Sequence, residues 1–229
     1  MSEIVVALDL PGGTEALRLL DRLPGAQWVK VGPILMTREG SALLRTLIDR
    51  GHRVFLDLKW HDIPHTVAGA VAAARDLGVS MATVHVLGGA AMMEAAVQAA
   101  GNTLAIVGVT VLTSHDPASY GQAVGRTGVD LLAEVERHSR AAVEAGLAGV
   151  VCSPAEVARI RSVVGDRYIV VPGIRSRTDA PGDQRRVATA AEAAADGATH
   201  LVVGRPVLHA ADPAAAYQAL REEARCVAS

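Results

Sequence analysis

Apolar residues in this chain gather in short, nearly continuous runs and do not alternate cleanly with polar ones. Eight runs read as β-strands: Ile4–Asp9, Trp28–Gly32, Arg53–Lys59, Met81–Val86, Leu104–Val111, Gly149–Ser153, Tyr168–Gly173 and His200–Gly204. Such runs mark strands covered on both faces, as in a parallel sheet. Ala-rich segments of helical character lie between them: Thr14–Leu23, Met36–Arg50, Thr66–Leu77, Ala90–Ala100, Val129–Ala145, Pro154–Val164, Arg186–Asp196 and Pro213–Arg225. Glycines such as Gly51 and Gly78 follow these segments, where a left-handed terminal residue is favoured.

Eight strand–helix units in 229 residues, about 29 residues each, predict an α/β fold of the (β/α)8 TIM-barrel type. No Pro/Ser-rich linker or change of composition divides the chain, so residues 1–229 are expected to form a single domain. An open doubly wound sheet is the architectural alternative. It would usually carry a glycine-rich dinucleotide turn after the first strand, and Pro11-Gly12-Gly13 lacks that spacing.

Composition narrows the function classes. Half the residues are apolar and the net charge is −2, which excludes a disordered chain. No basic stripe supports a nucleic-acid or anionic-membrane partner. Cys152 and Cys226 lie far apart without metal-ligand spacing, so a disulfide framework is not expected and a cytoplasmic location is. Met1–Asp9 carries acids where a secretory signal would carry positive charge. The stretch Ala95–Ser114 lacks charged residues, but Gln98, Gly101-Asn102-Thr103 and Gly108 interrupt it, so it reads as helix, turn and strand and not as a membrane span.

Polar residues collect where the strands end: Asp9, Lys30, Asp57 with Lys59, His85, Thr110 with Thr113, Ser153, Arg175 and Arg205. In a βα barrel these ends form the catalytic face. Taken singly, His85 or Ser153 reads as a hydrogen-bonding scaffold residue under a site, and Asp9 as a cap on its loop. The set as a whole reads as chemistry.

The densest signal is Asp57-Leu58-Lys59-Trp60-His61-Asp62-Ile63-Pro64-His65-Thr66. Positions 57 and 59 are two apart on a strand, so both side chains are expected on the same face, the barrel interior. Asp62 follows just past the strand, and Pro64 stands where a helix can begin. A lysine flanked by carboxylates keeps its ammonium form. Such a group suits proton donation to a carbanion, not Schiff-base chemistry, which needs a lowered pKa. A surface salt-bridge cluster would have the same composition, but surface pairs rarely sit at a buried strand end.

A phosphate site is the second signal. Pro172-Gly173-Ile174-Arg175 follows the seventh strand and Gly204-Arg205-Pro206 the eighth, the two loops with which barrels often bind phosphate. Arginine matches the oxygens as a fork, and glycine lets backbone N–H groups approach. The polar stretch Ser176–Gln184 between them reads as a loop able to close over the ligand.

These residues resemble the orotidine 5′-phosphate decarboxylase family. DLKWHDIPHT matches its D-x-K-x-x-D-I-P-x-T signature. ALD, KVG, TVLTS, PGIR, GDQRR and VGRPVLHAADP follow in the family's order, over nearly the whole chain. The resemblance implies a homodimeric βα barrel that decarboxylates orotidine 5′-monophosphate without metal or organic cofactor. It implies that Lys59 protonates C6 between Asp57 and Asp62, with Asp62 and Thr66 reaching into the neighbouring subunit's site. It further implies that Asp9 and Lys30 contact the ribose, Thr113 the pyrimidine, and Arg175, Gln184, Gly204 and Arg205 the phosphate side.

Two rivals remain. Mg²⁺-dependent sugar-phosphate decarboxylases and aldolases share the Asp-x-Lys-x-x-Asp core but use a carboxylate near the end of strand two to help hold the ion, where this chain has Lys30. A phosphate-ligand-binding protein without chemistry would gain nothing from Asp57, Lys59 and Asp62.

Overall fold

The computed structural model describes residues 2–175 and 187–225. Eight parallel strands close into a barrel in sequence order: β1 Glu3–Ala7, β2 Trp28–Val31, β3 Arg53–Trp60, β4 Met81–His85, β5 Ala105–Val109, β6 Gly149–Val151, β7 Tyr168–Val171 and β8 His200–Val203. The ring closes where Glu3 to Val6 of β1 pair with His200 to Val203 of β8. The helices are α1 Gly13–Asp21, α2 Pro33–Asp49, α3 Pro64–Asp76, α4 Ala90–Ala100, α5 Pro117–Ala123, α6 Leu131–Glu144, α7 Val157–Val164, α8 Ala190–Ala195, α9 Arg205–Leu208 and α10 Pro213–Arg225. This is the expected (β/α)8 barrel, with all eight strands in the expected places.

Continuous apolar strands bury both faces. The outward face and the inner sides of the helices form the larger core, in which Leu44, Leu47, Val54 and Ile160 are fully buried. Each such side chain contributes about 1.5–3 kcal/mol relative to exposure. The inward face forms a second cluster of Val5, Ala7, Trp28, Phe55, Met81, Val107, Val170 and Val202. These fill the barrel, as interior side chains of eight-stranded barrels do. Below this filling, His200 meets Trp28 edge-on at 5.0 Å and Tyr168 at 4.9 Å. The Arg53 guanidinium lies over the Trp28 ring at 5.7 Å.

Four differences from the expected elements stand out. Seven strands stop one or two residues before the expected ends, whereas β3 runs one residue further, to Trp60, where its pairing with β4 resumes. Two short helices were not expected. In α5, Asp116 caps through the Ser119 N–H, and seven residues are too few to show a period; α9 spans only four residues. The segment from Pro154 begins as a 3₁₀ turn, Pro154–Glu156, before α7. Of the expected helix Arg186–Asp196, Ala190–Ala195 is helical behind a Thr189 cap; Arg186 lies outside the described residues. Among the described residues, no helix is long and apolar enough to cross a membrane.

Candidate active site

Above the apolar filling, at the C-terminal ends of the strands, lies a cavity of about 620 Å³. Ala7, Phe55, Val109, Val151, Val170 and Val202 form its apolar floor and wall. Asp9, Lys30, Asp57, Lys59, Thr113, Arg175, Gly204 and Arg205 also line it, which brings eight of the eleven expected site residues together.

Four of them form a run of alternating charge across three strand ends. The Lys30 ammonium lies 3.0 Å from Asp9 Oδ1 and 3.7 Å from Asp57 Oδ2. The Lys59 ammonium lies 2.9 Å from Asp57 Oδ1. Lys30 and Asp57 are nearly buried, with side chains 11% and 14% exposed, while Lys59 reaches into the open cavity at 37%. Charges this deep need close partners, and Asp57 has an ammonium at each oxygen.

The backbone that presents Lys59 is not a regular strand. β3 pairs with β4 at Leu56 opposite Ala82 and again at Trp60 opposite Val84, so Asp57, Leu58 and Lys59 together stand opposite Thr83. Lys59 has φ +52°, the one positive value at a non-glycine residue among those described. Simple alternation therefore does not account for the shared direction of positions 57 and 59; a bulge turns Lys59 back toward Asp57.

The ends of β7 and β8 carry the arginines. Ile174 bridges to Ala188, and the Arg175 N–H donates to the Ala188 carbonyl at 2.9 Å, pinning Arg175 at the cavity rim. Gly173 has φ +85°, a conformation that favours glycine. Arg205 opens α9 directly after Gly204. On the β5 side, Thr113 stands on a segment anchored from beneath: His138 Nδ1 lies 3.1 Å from the Thr110 carbonyl, and the Thr110 hydroxyl donates to the Val151 carbonyl at 2.8 Å. Burial pushes the neighbouring Glu134 carboxyl up, but hydrogen bonds from Arg137 and Arg126 outweigh it and hold the group below its ordinary range.

Three expected residues are not part of this cavity as described. Asp62 and Thr66 are exposed just beyond β3, where the Asp62 carboxylate accepts the Ile63 N–H at 2.6 Å. Among the described residues Lys59 thus pairs with Asp57 and not with Asp62. Gln184, like the Ser176–Gln184 stretch it ends, lies outside the described residues. His85 caps the turn Val86–Gly88 and stacks on His61 at 5.5 Å; burial first, then the nearby His61, lower its pKa to about 4. Sequence reasoning missed His209, Leu208 and Cys152 in the cavity wall, and Thr83 behind the charge run.

A closed barrel that gathers paired ammonium and carboxylate groups and two arginines around one cavity at its C-terminal face defines a (β/α)8-barrel enzyme. Residues 2–220 match the model of the Orotidine 5′-phosphate decarboxylase / HUMPS family, and the chain belongs to that family. It is 50% identical over 226 residues to the orotidine 5′-phosphate decarboxylase of Halorhodospira halophila, covering 96% of this chain and 94% of that one. It is 49% identical over 227 residues to the enzyme of the same name from Alkalilimnicola ehrlichii, covering 97% and 96%. The crystal structure of orotidine 5′-phosphate decarboxylase from Lactobacillus acidophilus matches with a TM-score of 0.87 at 34% identity, over 98% of this chain and 100% of that one.

Proposed function

We infer that this chain decarboxylates orotidine 5′-monophosphate to UMP and CO2, the last step of de novo pyrimidine synthesis. The observation that carries the reading is the Asp9–Lys30–Asp57–Lys59 run at the ends of β1 to β3, in a cavity that Arg175 and Arg205 line from the ends of β7 and β8. One ligand with a phosphate at one end and a reacting acid at the other fits that division.

The chemistry follows from the charges. Breaking the bond from C6 to the carboxylate releases CO2 and leaves the electron pair in the ring plane, where the ring π-system cannot take it up. A fixed ammonium stabilises that charge as it develops and then delivers its proton to C6. Lys59 is the group placed to do this, and the resulting neutral amine regains a proton from water. Asp57 holds Lys59 and is itself held by Lys30. Asp9 and Lys30 meet the ribose hydroxyls, Thr113 the pyrimidine, and Arg175, Gln184, Gly204 and Arg205 the phosphate side. Lys30 places an ammonium against Asp9 and Asp57, at the strand-two position where the metal-dependent rivals need a carboxylate, which supports the reading without a metal.

The working unit is a homodimer in the cytoplasm. Ile63 and Leu87 are 65% and 43% exposed on the side that carries Asp62 and Thr66, which supports a surface covered by a second copy. Asp62 and Thr66 then complete the neighbour's site.

The test is the loss of orotate ultraviolet absorbance when the protein meets orotidine 5′-monophosphate in excess EDTA. Rapid loss is expected. No loss, with turnover of a sugar phosphate once Mg²⁺ is restored, would assign the chain to the metal-dependent branch; no turnover of either would leave a phosphate-ligand binder.

A further inference from the structure

We propose that Thr83 is a positioning residue for the reacting ammonium: its hydroxyl locks the β3 bulge and so fixes Lys59 and Asp57 relative to each other. The proposal rests on the decarboxylase reading for its kinetic consequence, while its structural part stands without it.

The hydroxyl is fully buried and sits between the two groups. It accepts the Lys59 backbone N–H at 2.8 Å and donates to Asp57 Oδ1 at 3.1 Å. That same Asp57 oxygen receives the Lys59 ammonium at 2.9 Å. One threonine oxygen therefore joins the backbone of Lys59 to the carboxylate that holds its side chain.

The need for such a tie comes from the register. Three residues of β3 face one of β4, so the regular ladder bonds between these strands lapse where the chemistry needs them most fixed. A left-handed φ at a lysine is strained and persists only where surrounding bonds over-determine it. The Thr83 hydroxyl supplies a bond to the Lys59 amide from the one residue opposite the bulge. Thr83 does not line the cavity, so its effect reaches the substrate only through Lys59 and Asp57.

Two pairs of variants separate the hydroxyl from packing: wild type against Thr83→Val, and Thr83→Ser against Thr83→Ala. Within each pair the proteins differ mainly in the hydroxyl. The apolar member is expected to lose about 10- to 100-fold in kcat, the scale at which sub-ångström misplacement acts, while its affinity for UMP stays within about threefold. Thr83→Ser is expected to stay within about threefold of wild type in both. Hydrogen exchange at the Lys59 amide should be at least about tenfold faster in each apolar variant than in its partner. Equal kcat within both pairs, or a Ser variant as impaired as Ala, would overturn the positioning role; so would a loss of UMP binding that matches the loss of kcat. Should Thr83→Val not fold, the Ser and Ala pair still decides the question. Absence of turnover in the wild type would instead sink the decarboxylase reading, and the amide exchange would then judge the bulge tie alone.

Discussion

Lys30 faces Asp57 across the neighbouring strands β2 and β3 at 3.7 Å, and Asp57 keeps this partner whatever happens at Lys59. Removing the Lys59 ammonium therefore leaves no buried carboxylate alone. Lys59→Ala is expected to fold and to bind UMP, yet to lose at least about 10³-fold in kcat, because both the electrostatic stabilisation and the proton are gone. Steady-state turnover beside calorimetric UMP titration checks this. Near-normal kcat would remove Lys59 from the chemistry.

The other end of the ligand gives a separate expectation. Arg175 and Arg205 line the cavity at the ends of β7 and β8; if they hold the phosphate as proposed, energy gained there acts by holding the site in its reactive arrangement. The nucleoside orotidine, lacking only the phosphate, is expected to lose several orders of magnitude in kcat/KM. Arg205→Ala should lose about 10²-fold or more on the nucleotide, while its small remaining activity on the nucleoside changes little. Equal damage on both substrates would place Arg205 elsewhere in the mechanism.

What the sequence makes legible depends on whether the determinant is local. The eight strands are visible because Val, Ile and Leu runs such as Ile4–Ala7 are buried on both faces, a property of the run itself. Asp57 and Lys59 stand out as charges within such a run. Thr83 does not: in Met81-Ala82-Thr83-Val84-His85 a β-branched residue is an ordinary strand former, and its role exists only because β3 slips in register against it. The φ of Lys59 is hidden for the same reason, since alternation assumes an unbroken ladder. Asp62 and Thr66 belong to the legible signature, but the single chain carries them away from its own cavity.

Acid should weaken the barrel from its lower end. Burial among Trp28 and Tyr168, and secondarily the Arg53 charge, lower the His200 pKa from 6.5 to about 4. Its Nδ1 meets the Thr199 hydroxyl at 2.9 Å. The folded state thus keeps His200 neutral at pH values where the unfolded chain is already protonated. Stability from this group is complete above pH 6.5 and falls as the pH drops from 6.5 toward 4, by up to about 3 kcal/mol. His85, lowered mainly by burial to about 4, adds to the same window. Urea unfolding midpoints measured between pH 7 and 4 should fall accordingly, and His200→Phe should flatten part of that slope. Parallel slopes in the two proteins would rule His200 out as a source.

A shared active site makes a prediction that no single-subunit arrangement can satisfy. If Lys59 and Asp57 act with Asp62 from the other copy, Lys59→Ala and Asp62→Ala homodimers each lack one essential group at both sites. In a hybrid of the two, one site combines both substitutions and is dead, while the other draws Lys59 from one chain and Asp62 from the other and is intact. Random re-assortment of an equal mixture makes half the dimers hybrid, each with one working site of two, so activity should recover to about a quarter of wild type. The experiment mixes the two inactive proteins, exchanges subunits through mild denaturation and follows orotidine 5′-monophosphate decarboxylation. Size-exclusion chromatography with light scattering verifies that the species is dimeric. Recovery is excluded if Asp62 serves its own chain, because every chain in the mixture would then carry one inactivating change in the site it builds. A mixture that stays as inactive as its components, with subunit exchange demonstrated by differently tagged chains, would confine each site to one subunit and leave exposed Ile63 without the proposed neighbour.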